Sequence, residues 1–192
     1  MKIYVVRHGQ TDWNVEGKIQ GQFDTNLTEK GCEQAENLRK MLGEVKFDAV
    51  FCSPLIRAKK TCEIILNNSG NKVTYEPCLM ERDFGVMVGK KDNFMSFWNL
   101  KNLRTAEGVE SIEDMEKRIF PFIEKIKREY KNGNILIVTH QGTLFIFENY
   151  FGRIPDDGDY TTLRLGSCGY RIYDADTGDK LEFGTDNKSI SG

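Results

Sequence analysis

A chain of 192 residues has the length of one domain and is long enough to bury a core. Charged residues make up 29% of it, apolar residues make up 39%, and the net charge is only −2. This balance gives no indication of a nucleic-acid-binding or membrane-surface protein. No apolar stretch approaches the roughly 20 residues of a membrane span, and the N-terminus lacks the pattern of a secretory signal peptide. We therefore expect a cytoplasmic protein.

The cysteines support the same expectation. They are odd in number, scattered along the chain and never arranged as C-x-x-C, which favours reduced thiols that mostly fill the core. A nucleophilic cysteine would need a histidine in a matching context, and neither histidine has one. The five are Cys32, Cys52, Cys62, Cys78 and Cys168.

The first predicted element is a buried strand over residues 2–7, which ends abruptly at Arg7-His8-Gly9 in "IYVVRHGQTDWN". The chain has only one other histidine, His140, and it also follows a hydrophobic run, "NILIVT". Both histidines therefore come directly after predicted buried strands.

The next segments alternate between helix and strand. Residues 10–27 are polar and contain glycine, which predicts a surface loop. Thr28 is an acceptable N-cap for a helix, whose apolar side recurs at helical spacing. The run "FDAVFCS" predicts a second buried strand. In "SPLIRAKKTCEIIL" we expect Ser53 to cap a helix with Pro54 at its first position. The apolar side of the first helix comprises Cys32, Ala35, Leu38 and Leu42.

The second half begins with "KVTYEPCLM", a predicted strand that ends near Pro77. An irregular stretch over about 83–109 follows, which we interpret as a lid-like insertion. Ser111 opens a long helix with a clear apolar stripe, and Pro121 inside it predicts a kink or a break. The run "ILIVT" is a further buried strand, and Gly142–Phe151 a helix closed by Gly152. A hairpin around Asp176–Asp179 ends the pattern, and we expect "TDNKSISG" to be loose.

This order predicts an α/β fold, a three-layer sandwich with a largely parallel central sheet, helices on both faces and a C-terminal hairpin. No repeat or linker divides the chain, so we expect a single domain over 1–192. Ligands of such sheets bind outside the carboxyl ends of the strands, where His8 and His140 would converge on one crevice. A lone histidine in such a position is more often structural, but here both histidines share it.

Two further segments supply candidate site residues. Arg57 falls in the first turn of the helix after the second strand, where it and Arg7 would suit a phosphate or carboxylate. By itself, Arg57 would be better explained as a surface ion pair. In "LMERDFG", Glu81 and Asp83 are candidate proton donors, although carboxylates in turns are commonly only solvated.

Five segments carry a family resemblance. Each is similar to one conserved family segment, and they occur in the family's order between residue 3 and about residue 150: "RHGQTDWN" (R-H-G-[EQ]-T-x-W-N), "GKIQGQFDTNLTEKGCEQA", "SPLIRAKKT" (S-P-x-x-R-A-x-x-T), "GVESIEDMEKRI" (G-E-S-x-x-D) and "VTHQG". The family they resemble is the histidine phosphatase superfamily, also called the phosphoglycerate-mutase-like family. A bare R-H-G would be a weak signal, whereas the ordered set is specific.

The resemblance implies a role for each matching residue. His8 would attack phosphorus and become a phosphohistidine, while Glu81 would protonate the leaving oxygen and then activate water. Gly9 would let the backbone approach the substrate closely. The remaining residues would surround the phosphoryl oxygens without a metal or other cofactor: Arg7, Arg57 and His140 as catalytic groups and Asn14 as a hydrogen-bonding group.

The chain departs from the family at two places. Gln141 follows the second histidine, where the family often has glycine, and "MVG" over residues 87–89 replaces the usual W-E-G. We expect Gln141 and Gly142 to contact the substrate. Over the pocket, the lid-like stretch would place Lys90, Lys91 and Arg104, with Lys101, against the substrate body. A solvated loop with its own small hydrophobic cluster is an equally good interpretation.

The function expected from this resemblance is hydrolysis of a small phosphorylated metabolite. Sugar phosphates, phosphoglycerates and nucleotide-loop phosphates all qualify as substrates. A phosphoglycerate mutase is the first alternative, disfavoured because the segment between Glu81 and His140 is short. A non-catalytic phosphate-binding module is the second. We expect neither a nucleic-acid nor a membrane partner, and the protein would be a monomer or homodimer.

Overall fold

The computed structural model describes residues 1–91, 97, 106–154 and 157–184. Within those ranges a six-stranded sheet carries helices on both faces, which confirms the predicted three-layer α/β sandwich. None of the helices in these ranges is long and apolar enough to cross a bilayer. The expectation that residues 185–192 are loose falls outside the described residues.

Six strands form the sheet, and in chain order they are β1 (Lys2–Arg7), β2 (Ala49–Cys52), β3 (Val73–Tyr75), β4 (Asn134–Thr139), β5 (Tyr170–Asp174) and β6 (Lys180–Gly184). Their order across the sheet is β3-β2-β4-β1-β5-β6. The four strands from β3 to β1 pair in parallel. The last two strands add to this sheet in antiparallel fashion as the predicted C-terminal hairpin.

In the described residues, five α-helices connect and cover the strands: α1 (Asp12–Glu16), α2 (Glu29–Leu42), α3 (Ile56–Leu66), α4 (Ile112–Glu129) and α5 (Gln141–Tyr150). The predicted caps of α2 and α4 are confirmed, since the Thr28 side chain accepts from the Gly31 N–H and that of Ser111 from the Asp114 N–H. Short 3₁₀ turns occur at Pro77–Leu79, Gly85–Met87 and Tyr160–Leu163.

The alternation of side chains along the central strands divides the core in two. On β1, Ile3 and Val5 pack into the cluster that includes the stripe of α4 and the apolar side of α5. Tyr4 and Val6 face the opposite cluster, against α2 and α3. Because neighbouring residues of a strand point to opposite faces, one hydrophobic strand supports both outer layers. β1 and β4 are buried on both faces, so packing on both sides positions their C-terminal ends.

Two local predictions were wrong, and one of the two alternatives predicted for Pro121 is excluded. Residues 10–27 contain the short helix α1, held by a capping box in which Thr11 and Asn14 bond each other's backbone N–H groups; none of its residues is buried, so no periodicity marks it. Ser53 does not cap α3, which starts at Ile56 after Leu55. Of the kink or break predicted at Pro121, the break is absent, because Pro121 lies on the exposed side of α4, where water can bond the freed carbonyl group.

Candidate active site

The two histidines lie side by side because their strands are neighbours. β1 and β4 pair in parallel with Arg7 opposite Thr139, and the His8 N–H donates to the Thr139 carbonyl over 3.0 Å. His8 and His140 therefore leave the sheet at the same level, and their ring centroids are 5.1 Å apart.

A cavity of about 220 Å³ opens at this end of the sheet. Its lining includes four of the five residues predicted to be catalytic, while His140 lies fully buried behind it against His8. Arg57 reaches the cavity because β2 neighbours β4, so that α3 begins beside the second histidine. The predicted residues in the lining are Arg7, His8, Arg57, Glu81, Asn14 and Gln141.

The hydrogen bonds of His8 leave one ring nitrogen with a lone pair. Its Nδ1 lies 2.7 Å from the Gly9 carbonyl oxygen, which can only accept, so Nδ1 carries the proton. Nε2 therefore accepts, and the Arg57 Nε donates to it over 3.3 Å. Burial lowers the pKa of His8 well below its usual value, and Arg57 and Arg7 lower it further. The ring is thus neutral with its lone pair on Nε2, and His8 lines the cavity.

Two buried guanidinium groups contribute positive charge to the cavity. Arg57 is held by the Phe23 and Gly21 carbonyls, at 2.9 and 2.7 Å. Arg7 donates from Nη1 to the Leu165 carbonyl over 2.6 Å, and its buried Nε has no hydrogen-bond partner in the described part of the chain. Burial is the main cause that lowers the pKa of each arginine to about 10. Both remain cations at neutral pH and suit a dianionic group.

Two glutamines present their amide nitrogens because their oxygens are already bonded. Gln20 accepts at Oε1 from the Thr11 and Thr25 hydroxyls, at 3.0 and 2.5 Å. Gln141 accepts at Oε1 from the Leu165 N–H over 2.8 Å, and its buried Nε2 has no partner among the described residues. Both line the cavity. They can add neutral hydrogen bonds to phosphoryl oxygens beside the two arginines.

Glu81 is buried at the edge of the cavity, facing the N-terminus of α5. Its carboxylate accepts the Arg82 N–H over 2.8 Å and the Gly142 N–H over 3.2 Å. Burial raises the pKa of Glu81 above its usual value, although those two hydrogen bonds, Arg57 and Arg7 act in the opposite direction. Glu81 can therefore hold a proton at a higher pH than a solvated glutamate, which a general acid requires.

The backbone that carries Glu81 is fixed by Arg118 of α4. Its guanidinium donates to the carbonyls of Cys78, Met80 and Glu81. In turn, Glu110 accepts from Arg118 Nε over 2.6 Å. This network ties the segment after β3 to α4, so that the Glu81 carboxyl group is held in place.

Ser53 faces His140 instead of capping a helix. Its Oγ lies 2.7 Å from His140 Nε2, while His140 Nδ1 is buried and has no partner within the described ranges. Burial, and then Arg57 and His8, lower the pKa of His140 well below its usual value. His140 is therefore a neutral neighbour of His8.

The other predicted substrate contacts lie elsewhere. Gly9 does not line the cavity, and its close approach is to α2, since a Cβ on it would lie 2.5 Å from the Gly31 carbonyl oxygen. Gly142 contributes its N–H to Glu81. Lys90 and Lys91 are exposed and outside the cavity lining. Arg104, like Lys101, lies outside the described residues.

Sequence reasoning missed several lining residues. Trp13 and Gln20 fall within the quoted family segments, so their positions were a usable signal. Trp13 stacks on Phe23 with ring centroids 4.8 Å apart, and the Lys18 Nζ lies 5.5 Å from the centroid of the Trp13 ring. Arg164, at the end of a 3₁₀ turn, had no sequence signal.

The two neutral histidines predict acid destabilisation. The unfolded chain protonates them near their ordinary pKa of about 6.5, whereas the folded protein resists protonation. Their stabilising contribution is complete above that pH and is lost as the pH falls towards the lowered folded pKa values, by at most about 1.4 kcal/mol per pH unit for each histidine.

We expect urea unfolding from pH 7.5 to 5.5 to show this decline, and His8→Asn and His140→Asn each to reduce it. The histidine variants should be compared in Glu81→Gln protein, because Glu81 contributes a pH dependence of stability with the opposite sign. Equal slopes in all variants would contradict the expectation.

Comparison with known proteins gives a family match and named relatives. The family model of the histidine phosphatase superfamily (branch 1) matches residues 3–181. Over 153 residues, 75% of each chain, the sequence is 33% identical to an adenosylcobalamin/alpha-ribazole phosphatase of Escherichia coli. Over 178 residues, 88% of this chain and 82% of the relative, it is 32% identical to a probable phosphoglycerate mutase of Erwinia tasmaniensis.

A solved structure shows the same fold. YhfR of Bacillus stearothermophilus superposes with a TM-score of 0.84 at 28% identity and covers 94% of both chains. A relative named as a phosphatase and one named as a mutase are therefore both similar to this chain in sequence, and a solved relative has the same fold. The chain belongs to the histidine phosphatase superfamily.

Proposed function

We propose that the protein is a phosphomonoesterase that hydrolyses a small phosphorylated metabolite through a phosphohistidine on His8, with Glu81 as general acid and base. The observation that supports this most directly is the state of His8. Its Nδ1 donates to the Gly9 carbonyl, the residue lines a cavity with two buried arginines, and its pKa is lowered. A neutral imidazole in a cationic cavity suits attack on a phosphate ester.

In the first step, His8 Nε2 attacks phosphorus in line with the leaving oxygen. Arg57 Nε, which donates to Nε2 in the free protein, transfers its hydrogen bond to a phosphoryl oxygen. Protonated Glu81 gives its proton to the leaving oxygen, and an alcohol departs. The positive charge that forms on the ring is stabilised by the Nδ1–H bond to the Gly9 carbonyl.

In the second step, water attacks the phosphohistidine. Ionised Glu81 accepts a proton from the water as its oxygen bonds to phosphorus, and the bond from phosphorus to Nε2 breaks. Inorganic phosphate leaves, His8 is neutral again and Glu81 holds a proton, so the cycle closes without a metal ion.

A panel of phosphorylated metabolites, with 4-nitrophenyl phosphate as a generic substrate, tests this proposal. We expect release of inorganic phosphate from the aryl ester and from at least one metabolite, insensitive to chelators. A protein that binds phosphate but releases none from any ester would be a non-catalytic module, and the proposal would be wrong.

A phosphoglycerate mutase is the second candidate, favoured by the relative of that name among the similar proteins. A mutase must retain and reorient its substrate while water is excluded. An enolase-coupled assay, primed with 2,3-bisphosphoglycerate, measures isomerisation of 3-phosphoglycerate. We expect phosphate release to exceed isomerisation, and the reverse result would identify the mutase.

A further inference from the structure

A second cavity adjoins the first. It has a volume of about 400 Å³ and shares three lining residues with the catalytic cavity, Arg7, Asn14 and Arg164. Beyond these, its lining includes Gln10 and Gln34. Because the two cavities meet along shared side chains, a substrate whose phosphoryl group lies beside His8 can extend into the second one.

Positive charge dominates this second cavity. Arg7 and Arg164 both line it, and no carboxylate does so among the described residues. Arg164 is exposed and makes no ion pair within the described part of the chain. The charge of Arg164 also acts on the first cavity, because after burial it is the largest cause that lowers the pKa of Arg7. An unpaired cation in a concave site attracts an anion.

The two glutamines in the cavity are oriented as donors. Gln34 Oε1 accepts the Gln10 N–H over 3.0 Å, and Gln10 Oε1 accepts the Thr28 hydroxyl over 3.0 Å. With both oxygens bonded, the amide nitrogens remain, and in the described ranges neither donates a hydrogen bond to the protein. A substrate whose remaining part is neutral and hydroxylated would need both donors and acceptors from the protein. These side chains instead offer donors and a cation.

We propose that Arg164, Gln10 and Gln34 form a second anion site, which selects phosphomonoesters that carry a further anionic group. The site is called here the Arg164 subsite. This inference rests on the proposed phosphatase function and adds the class of substrate to it. A carboxylate and a second phosphoryl group share the chemistry that these residues recognise.

Matched synthetic esters test the subsite. The phosphate ester of 3-hydroxypropanoate is compared with that of 1,3-propanediol, which has a hydroxymethyl group in place of the carboxylate. The bisphosphate of 1,3-propanediol separates a phosphoryl preference from a carboxylate preference. We expect kcat/KM for at least one of the two esters with a second anionic group to exceed that of the neutral ester by about tenfold or more, the value of one charge-assisted hydrogen bond, or about 1.4 kcal/mol.

Two variants should reduce that preference. Arg164→Gln removes the cation, and Gln34→Glu keeps the acceptor for the Gln10 N–H but replaces a donor with a carboxylate. The measured quantity is the ratio of kcat/KM for the anionic and neutral esters, because loss of charge near Arg7 affects the reacting phosphoryl group of both alike. We expect each variant to lower the ratio by about tenfold. Arg128→Gln, the same charge change at an exposed position of α4, should leave it within about twofold.

The outcomes separate the subsite from the phosphatase. A wild-type ratio near one, or an unchanged ratio in both variants, overturns the subsite while turnover still supports the phosphatase. If no ester is hydrolysed, the phosphatase proposal fails, and calorimetric binding of the same esters decides the subsite independently. Tighter binding of an anionic ester that is lost in Arg164→Gln supports the subsite, and equal binding overturns it.

Discussion

We expect His8→Ala to lower the turnover of every phosphate ester by roughly 10⁴-fold or more, because loss of a covalent nucleophile removes the path through the intermediate. Binding should persist, since Arg7, Arg57 and Gln141 remain in the cavity. Rapid acid-free quenching of the wild type with ³²P-labelled substrate should leave acid-labile, base-stable label on the protein, and His8→Ala should carry none.

The control for this variant is a measurement that shows it still folds. His8 is buried at a strand end and lies in neither hydrophobic cluster, so His8→Ala should retain a cooperative thermal transition. His8→Asn keeps a polar side chain there and should be equally inactive. Activity without a phosphoenzyme in the wild type would indicate direct attack by water. Label on His8→Ala at the wild-type level would assign the nucleophile to another residue.

The second large effect concerns the proton donor. We expect Glu81→Gln to lower turnover of alkyl phosphates by about 10² to 10⁴-fold, the usual contribution of general acid catalysis. Nitrophenolate leaves with little protonation, so formation of the phosphoenzyme from 4-nitrophenyl phosphate should slow much less. Single-turnover release of nitrophenol measures this step, because in the proposed mechanism Glu81 also activates water in the second step.

Asp83→Asn is the matched control for Glu81→Gln. Asp83 lies two residues away but outside the cavity lining, where its Oδ1 accepts the Gly85 N–H over 2.9 Å. An asparagine keeps that acceptor, so most activity on both esters should remain. Loss of alkyl phosphate turnover in Asp83→Asn, with Glu81→Gln affecting both esters equally, would assign the acid to Asp83.

The pH dependence follows from the same two groups. Neutral His8 requires a pH above its lowered pKa, which sets the acid limb, and protonated Glu81 requires a pH below its raised pKa, which sets the basic limb. We expect a bell-shaped profile of kcat/KM for an alkyl phosphate with its maximum on the acid side of neutrality. The basic limb also contains a contribution from ionisation of the substrate, which the pH profile for an aryl phosphate measures. Glu81→Gln should remove the rest of the basic limb.

The sequence by itself determined the architecture and the catalytic candidates. Alternating apolar residues on β1 divide between two cores, and Thr28 and Ser111 cap their helices as predicted. These are local properties, since caps and periodicity depend on residues within a turn or a strand. His8 and His140 were also recognisable, because each directly follows a buried strand and parallel strands end at the same edge.

Only the tertiary structure decided how those residues are held and what surrounds them. Ser53 was predicted as a helix cap, but its hydroxyl group meets His140, which comes from another strand. Gly9 was assigned to the substrate, but it allows α2 to approach at Gly31. Arg164 enters both cavities from a turn that no local pattern marks. These contacts join segments far apart in the chain, so they depend on the order of strands across the sheet, which periodicity and capping do not encode.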